Sequence, residues 1–244
     1  VEAVHFNHHL RGAESDRDEA FVSALCAKLD VALHIGNGDV RARAAKRHES
    51  IEEAARALRY AFFASQPGLI ATAHTQDDNL ETVLLNLTRG TGLAGLCGIP
   101  PKRESFIRPM LAVSRTEIEA YLEQNGLSHV TDSTNDSDNY TRNRIRHRLV
   151  PLLQSENPQI AKTVRRMQEA LLTDEKFLES ETCRALDSAK LDGGFSCEKL
   201  NELPLSLRRR AVAEILKQHE VAVEYARLCA VEKMLSDGRG KLSV

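Results

Sequence analysis

Leu69-Ile-Ala-Thr-Ala73, followed at once by His74-Thr-Gln-Asp-Asp-Asn-Leu-Glu81 and Thr82-Val-Leu-Leu-Asn-Leu87, is the stretch that decides the fold. A short β-type run passes directly into a helical repeat. Leu80, Val83, Leu84 and Leu87 recur at helical spacing, with Thr75 placed as the N-cap. At about 100° per residue, Asp78 and Glu81 fall opposite that apolar stripe, three residues apart, with His74 just before the helix. The spacing predicts an exposed polar cluster at the carboxyl end of a strand, which is where open α/β sheets place their ligands.

Outward from this stretch the alternation continues. Val1 to Phe6 and Val31 to Ile35 read as further strands. Between them Ser15, with Asp18 three residues on, is placed as the cap of a helix whose apolar face is Ala20, Phe21, Ala24, Leu25 and Leu29. Another helix begins at Ser50 with Glu53 completing a capping box; its stripe is Ile51, Ala54, Ala55, Leu58 and Phe62, and Arg56 and Arg59 lie on a different face. Ser114 with Glu117 starts a helix that Gly126 ends, and a polar loop follows from Thr131 to Tyr140. Beyond Pro151 the pattern is helical only, with a long stripe of Ile160, Val164, Met167, Leu171 and Leu178 and a helix around Leu203 to His219. The expected fold is therefore α/β, a Rossmann-like parallel sheet flanked by helices over residues 1–155, followed by an α-helical domain over 156–244.

Composition narrows the function classes. The chain has 244 residues, 42% hydrophobic and 28% charged, with net charge -2. No run approaches the roughly 18 apolar residues of a membrane span, and no secretory leader pattern is visible. The five cysteines, Cys26, Cys97, Cys183, Cys197 and Cys229, are far apart and form no C-x-x-C pair, which fits thiols in a reducing cytoplasm. Both ends read as cut from a longer protein.

Four clusters carry chemistry. His74, Asp77, Asp78 and Glu81 are able to hold a divalent metal, orient an amine or steer a proton; an acidic first helical turn that only complements the macrodipole explains the two aspartates equally well. Arg89-Gly-Thr-Gly-Leu-Ala-Gly95 is either a backbone nest for phosphates or a helix stop. Asn7-His-His-Leu-Arg-Gly12 offers hydrogen-bond donors at the sheet's ligand edge. Arg142-Asn-Arg-Ile-Arg-His-Arg148 places four arginines in seven residues, a single-sign cluster that points to phosphate or nucleic-acid contact rather than a solvated face.

Taken in order, these strings resemble the tRNA(Ile)-lysidine synthetase family, a branch of the PP-loop ATP pyrophosphatases. The matching segments are Val4-His-Phe-Asn-His-His-Leu-Arg-Gly12, Glu52-Glu-Ala-Ala-Arg-Ala-Leu-Arg-Tyr60, Ala71 to Thr82, Arg89 to Gly92, Asp132-Ser-Thr-Asn135 and Tyr140 to Arg146, with Pro151 beyond. The family's Ser-Gly-Gly-x-Asp-Ser phosphate loop is not among these residues and would precede Val1.

The resemblance implies two steps on the first anticodon cytidine of a tRNA(Ile) with a CAU anticodon: adenylation by ATP, then displacement of AMP by free L-lysine. It implies catalytic roles for His74, Asp78, Glu81 and Arg56, and ATP contacts from Phe6, Asn7, His8, Arg11, Arg89, Gly90 and Gly92. It further implies tRNA or phosphate contacts from Arg142, Asn143 and Arg146, Mg2+ on Asp78, and a cytoplasmic enzyme without a membrane anchor; it leaves room for a homodimer. The competing readings are a tRNA thiolase of the same superfamily, a metal-dependent phosphohydrolase using His5, His8, His74, Asp77 and Asp78, and an RNA-binding fragment without catalysis.

Overall fold

The computed structural model describes residues 1–130, 138 and 140–237. In chain order the elements are β1 (Ala3–Asn7), α1 (Ala13–Lys28), β2 (Leu33–Asn37), α2 (Val40–Arg47), α3 (Ile51–Ala64), β3 (Ile70–Ala71), α4 (Gln76–Thr88), α5 (Leu93–Leu96), β4 (Lys102–Arg103) and β5 (Phe106–Ile107). They continue with α6 (Arg115–Gln124), α7 (Thr141–Arg144), a π-helical turn (Ile145–Leu149), α8 (Val150–Glu156), α9 (Ile160–Ala189), β6 (Lys190–Leu191), β7 (Gly194–Phe195), α10 (Cys197–Glu202), α11 (Leu205–Gln218) and α12 (Tyr225–Asp237). Two compact units result: Val1–Leu85 with Ile99–Lys162, and Asn86–Gly98 with the chain from Thr163 onward. No helix of the described residues is long and apolar enough to cross a membrane.

The first unit has the parallel pairing that the alternation predicts. β1 runs parallel to β2 in a register from Ala3 opposite Leu33 to Asn7 opposite Asn37. β3 pairs parallel with β5, and β4 returns antiparallel on β5. Among the described residues β1 and β3 do not pair with one another. The β4–β5 hairpin escapes sequence reading because two-residue strands carry no periodicity. Helix α3 lies close on β2, as Gly36 shows: a Cβ there would stand 2.6 Å from the Phe62 ring. Val40, Ala44 and Ala54 form a small core with Leu58 packed against it.

Local signals are met at most helix starts. Ser50 with Glu53 and Ser114 with Glu117 form the expected capping boxes, and Gly126, at φ 60, follows the end of α6. At α1 the expectation fails. The helix begins at Ala13 after Gly12, whose φ of 52 starts the turn, so Ser15 is inside the helix and its Oγ accepts from the Arg11 N–H at 3.2 Å. Helix α2 is additional, capped by Asp39 accepting from the Ala42 N–H at 2.9 Å. Its apolar face is only Val40 and Ala44, too little to register as a stripe. Ile51 and Leu87, expected in stripes, are exposed because each stands in a terminal turn of its helix.

The second unit buries Leu186, Ala189, Leu200, Ala211, Val212, Leu216 and Leu235 in one cluster. Along α9 the buried line passes through Gln168 and Thr182 while Met167 is exposed, one position off the predicted stripe.

Candidate active site

At the start of α4, Thr75 and Asp78 cap one another. Thr75 Oγ1 accepts from the Asp78 N–H at 3.2 Å, and Asp78 Oδ2 accepts from the Thr75 N–H and hydroxyl, each at 2.9 Å. This is a capping box with aspartate as the returning acid, so one oxygen of Asp78 is committed to holding the helix start. Its other oxygen, Oδ1, accepts from Arg142 Nη2 at 2.9 Å. Asp77 is engaged elsewhere, with its Oδ2 accepting from the Arg115 N–H at 2.7 Å and so tying α4 to the first turn of α6.

Glu81 departs from its predicted exposure. Its carboxylate is only 3% exposed and accepts from Arg142 Nε at 2.8 Å, Arg146 Nε at 2.6 Å and Arg146 Nη2 at 3.0 Å. Helical angle alone puts Glu81 opposite the leucines; the segment around Arg142–Arg146 then covers that face. Asp78, Glu81, Arg142 and Arg146 thus form a quartet whose charges cancel.

The arginine cluster, expected to face external anions, instead meets acids of its own chain. Arg148 Nη2 lies 2.7 Å from Asp138 Oδ2 and His147 Nδ1 2.9 Å from Asp138 Oδ1; these hydrogen bonds, His147 first, hold the Asp138 carboxyl below its ordinary range. Arg144 donates to the Asp138 carbonyl at 3.1 Å. Asn143 is buried.

The backbone beneath the arginines has a physical cause. Pro151 lacks an N–H and its ring would press on the carbonyl four residues back, and the preceding turn widens to π geometry with the Val150 N–H bonded to the Ile145 carbonyl. Arg142 and Arg146 still project to one side, toward Glu81.

His74 stands beside the quartet with its Nδ1 2.9 Å from Thr72 Oγ1. Burial pushes its pKa down despite the opposing pull of Asp78, with Arg108 and Arg142 adding to the decrease, so the imidazole is neutral at pH 7. A cavity of about 390 Å³ opens beside Asp78, Glu81 and Arg146 and has an apolar wall of Met110, Ile118 and Leu122.

A second cavity, about 510 Å³, is lined by the free edge of β1, by α3 and by the chain from Ala71 to His74. Phe6 is buried, with its ring 4.9 Å from that of His8 and 5.7 Å from that of Phe62. Asn7 is also buried: its Oδ1 accepts from the His9 N–H at 2.8 Å and its Nδ2 donates to Glu19 at 3.0 Å, so it orders the loop after β1. Arg11 is paired with Asp18 at 2.6 Å. Arg56 is exposed, its guanidinium 4.6 Å from the Tyr60 ring centre. Arg59 has no role in the sequence reading, yet it lines this cavity; its signal was the Arg56–Arg59 spacing of three residues with an aromatic at position 60.

Arg89, Gly90 and Gly92 belong to the second unit, where Gly90, at φ 75, stands two residues past the end of α4 and Gly92 caps α5. Asp132 to Asn135 lies outside the described residues.

Magnesium finds no donor set here. Both oxygens of Asp78 and both of Glu81 are engaged, and among the described residues no three His, Cys, Asp or Glu side chains converge as a cation site. Among the described residues the phosphohydrolase reading has no metal cluster either.

Comparison with known proteins supplies the lineage. A family profile described as the PP-loop domain matches residues 1–153. Among curated relatives, the tRNA(Ile)-lysidine synthase of Bacteroides thetaiotaomicron is 50% identical over 65% of this chain and 38% of its own length. The tRNA(Ile)-lysidine synthase of Geobacillus kaustophilus is 40% identical over 88% of this chain and 49% of its own, and that of Bacillus subtilis 37% identical over 88% and 49%. The chain spans less than half the length of these relatives. Among solved structures, the U34-tRNA thiolase NcsA from Methanococcus maripaludis superposes with a TM-score of 0.56 at 16% identity, covering 70% of this chain and 61% of that one, a likeness of fold alone. With the profile spanning well over half of its residues, the chain belongs to the PP-loop domain family.

Proposed function

We propose that this chain is the catalytic part of a tRNA(Ile)-lysidine synthase, with residues 1–155 performing chemistry and 156–244 forming a helical tRNA-binding domain in a cytoplasmic enzyme. The observation that carries the reading is the pocket beside α4, where the acids Asp78 and Glu81 meet an apolar wall of Met110, Ile118 and Leu122 that suits an alkyl chain ending in an amine. The shared name of the relatives at 37–50% identity points the same way.

On this reading ATP binds at the carboxyl ends of β1 and β3, and O2 of the target cytidine attacks the α-phosphate as pyrophosphate leaves. The ε-amine of lysine then attacks C2, and AMP departs with the oxygen. The lysine stem lies on Met110, Ile118 and Leu122, and its ammonium reaches Asp78 and Glu81 by displacing guanidinium hydrogen bonds of Arg142 and Arg146. One of these acids, or His74 in the adjacent cavity that also reaches Asp78, takes the proton that frees the lone pair. Arg142 and Arg146 act first on the acids, holding them in place, and present their remaining edges to the tRNA; the anticodon base must be unstacked to enter. The unpaired edges of β1 and β3 support a position between them for the phosphate-loop strand of the full-length protein. The dispersed cysteines, two of them buried, disfavour the thiolase alternative.

The test is labelled lysine, ATP and a CAU-anticodon tRNA(Ile) supplied to the full-length protein. Lysine should enter the tRNA with release of AMP and pyrophosphate. Intact ATP and tRNA binding without lysine incorporation would overturn the reading.

A further inference from the structure

We propose that Arg115 and Glu119, at the open side of the cavity beside α4, recognise the α-carboxylate and α-ammonium of a free amino acid and so select lysine over other primary amines. The inference deepens the lysine reading above and rests on it.

One face of α6 walls this cavity. Arg115, Ile118, Glu119 and Leu122 all line it, at i, i+3, i+4 and i+7 spacing, so the same helix face offers an apolar surface and a pair of opposite charges. Burial falls across the cavity. The side chain of Glu81 is 3% exposed and that of Asp78 25%, whereas those of Arg115 and Glu119 are 57% and 52% exposed. The acids that receive the ε-ammonium therefore stand at the closed side and the charge pair at the open side. A volume of about 390 Å³ admits a free amino acid laid between them along Ile118 and Leu122.

The pair retains the groups that such a ligand needs. Arg115 Nε donates to Glu119 Oε1 at 2.8 Å, and among the described residues neither side chain has another hydrogen bond. Both terminal nitrogens of Arg115 are thus open, and a guanidinium edge matches a carboxylate. Glu119 Oε2 is open as well and accepts from an ammonium on the same α-carbon. An exposed i,i+4 ion pair by itself is a common solvated feature of helices. This one has a fixed mount: the Arg115 N–H donates to Asp77 Oδ2 at 2.7 Å, which ties the first turn of α6 to α4, the helix that bears Asp78 and Glu81. The separation of the two charge sites is set by packed helices, so the cavity reads the length of an amino acid as well as its ends. Cadaverine lacks the carboxylate, 6-aminohexanoate lacks the α-amine, and a lysine within a peptide lacks both charges.

The experiment follows lysine incorporation into a CAU-anticodon tRNA(Ile) by the full-length protein and its Arg115→Met and Glu119→Gln variants, and lysine binding by calorimetry. Cadaverine and 6-aminohexanoate serve as competing amines, read as inhibition constants. For lysine, KM and Kd should rise at least about tenfold in each variant while kcat changes by less than about twofold, the pattern of lost ground-state binding. R115M should leave the inhibition constant of cadaverine unchanged, and E119Q that of 6-aminohexanoate, since each analogue lacks the group that the altered side chain receives. Arg115→Lys should recover part of the affinity. A lysine Kd in either variant equal to that of the unsubstituted protein overturns the proposal. So does cadaverine binding as tightly as lysine to the unsubstituted protein, a comparison that needs no variant to fold. Lysine binding that weakens in R115M, without incorporation by any form, sinks the lysidine reading alone; incorporation with unaltered KM in both variants sinks only the present inference.

Discussion

Replacing Glu81 by Gln removes one charge from a quartet and should unsettle the unit around it. The carboxylate is 3% exposed and accepts three guanidinium hydrogen bonds of 2.6, 2.8 and 3.0 Å. Glutamine offers one acceptor and turns an NH2 toward guanidinium donors, so at least one arginine faces a donor instead of an oxygen. Removing one partner of a fully buried pair costs about 3–5 kcal/mol. Here the arginine side chains are 40% and 28% exposed, and water recovers part of the loss, leaving about 2–3 kcal/mol. A surface substitution, which helical spacing alone predicts at this position, costs within about 0.5 kcal/mol. Hydrogen exchange of the α4 amides separates the two: protection should fall roughly 30- to 140-fold, at about 1.4 kcal/mol per factor of ten. The double variant Glu81→Gln/Arg146→Met should lose less than the sum of its singles, because one uncompensated charge has gone. Protection in E81Q within about twofold of the unsubstituted protein, roughly 0.4 kcal/mol, would refute the argument that the quartet is a buried, interdependent network.

Three further outcomes follow from the same structure. Acid should weaken the first unit through His8: its folded value near 4 lies below the ordinary 6.5, so the unfolded chain binds the proton first as pH falls from about 6.5 toward 4, and the contribution present above 6.5 is lost in that window. Discounted for partial solvent access, the loss is about 1–2 kcal/mol, and His8→Gln should flatten the pH dependence of urea midpoints; an unchanged slope would argue against a buried neutral imidazole. Leu80→Ala, at a side chain 1% exposed, should cost about 2–5 kcal/mol in urea denaturation, and a cost under about 1 would mean that α4 is not packed as described. Gly36→Ala should destabilise by about 1–3 kcal/mol, since its Cβ meets the Phe62 ring at 2.6 Å; thermal melting equal to the unsubstituted protein would contradict that close approach of α3 to β2.

Local features were legible in the order of the residues. Helix periodicity placed α3, α4, α6 and α9 because each has an apolar stripe of several residues. The capping boxes at Ser50 and Ser114 and the stop at Gly126 were legible because cap chemistry acts within three or four residues. The alternation of short β runs with helices was enough for a parallel α/β class, and His74, Asp78 and Glu81 were legible as a cluster since one helix turn brings them together. What failed locally did so for want of signal: α2 buries two apolar side chains, and β4 and β5 have two residues each.

Which charges face each other depends on contacts made across the fold. Arg142 and Arg146 stand 61 and 65 residues from Glu81, a separation across which charge pattern holds no information about pairing. An excess of arginine in a seven-residue window therefore reads as an open cationic face, although folding brings it onto three acids, Asp78, Glu81 and Asp138. Arg59 shows the converse. On the helix it is one more charge on a polar face, and only the apposition of β1, α3 and β3 partly buries it in a cavity shared with an imidazole whose Nδ1 has no hydrogen-bond partner among the described residues. Desolvation sets the electrostatics of both groups of side chains, and it is a property of the neighbours a residue acquires at long range, not of the residue or its spacing.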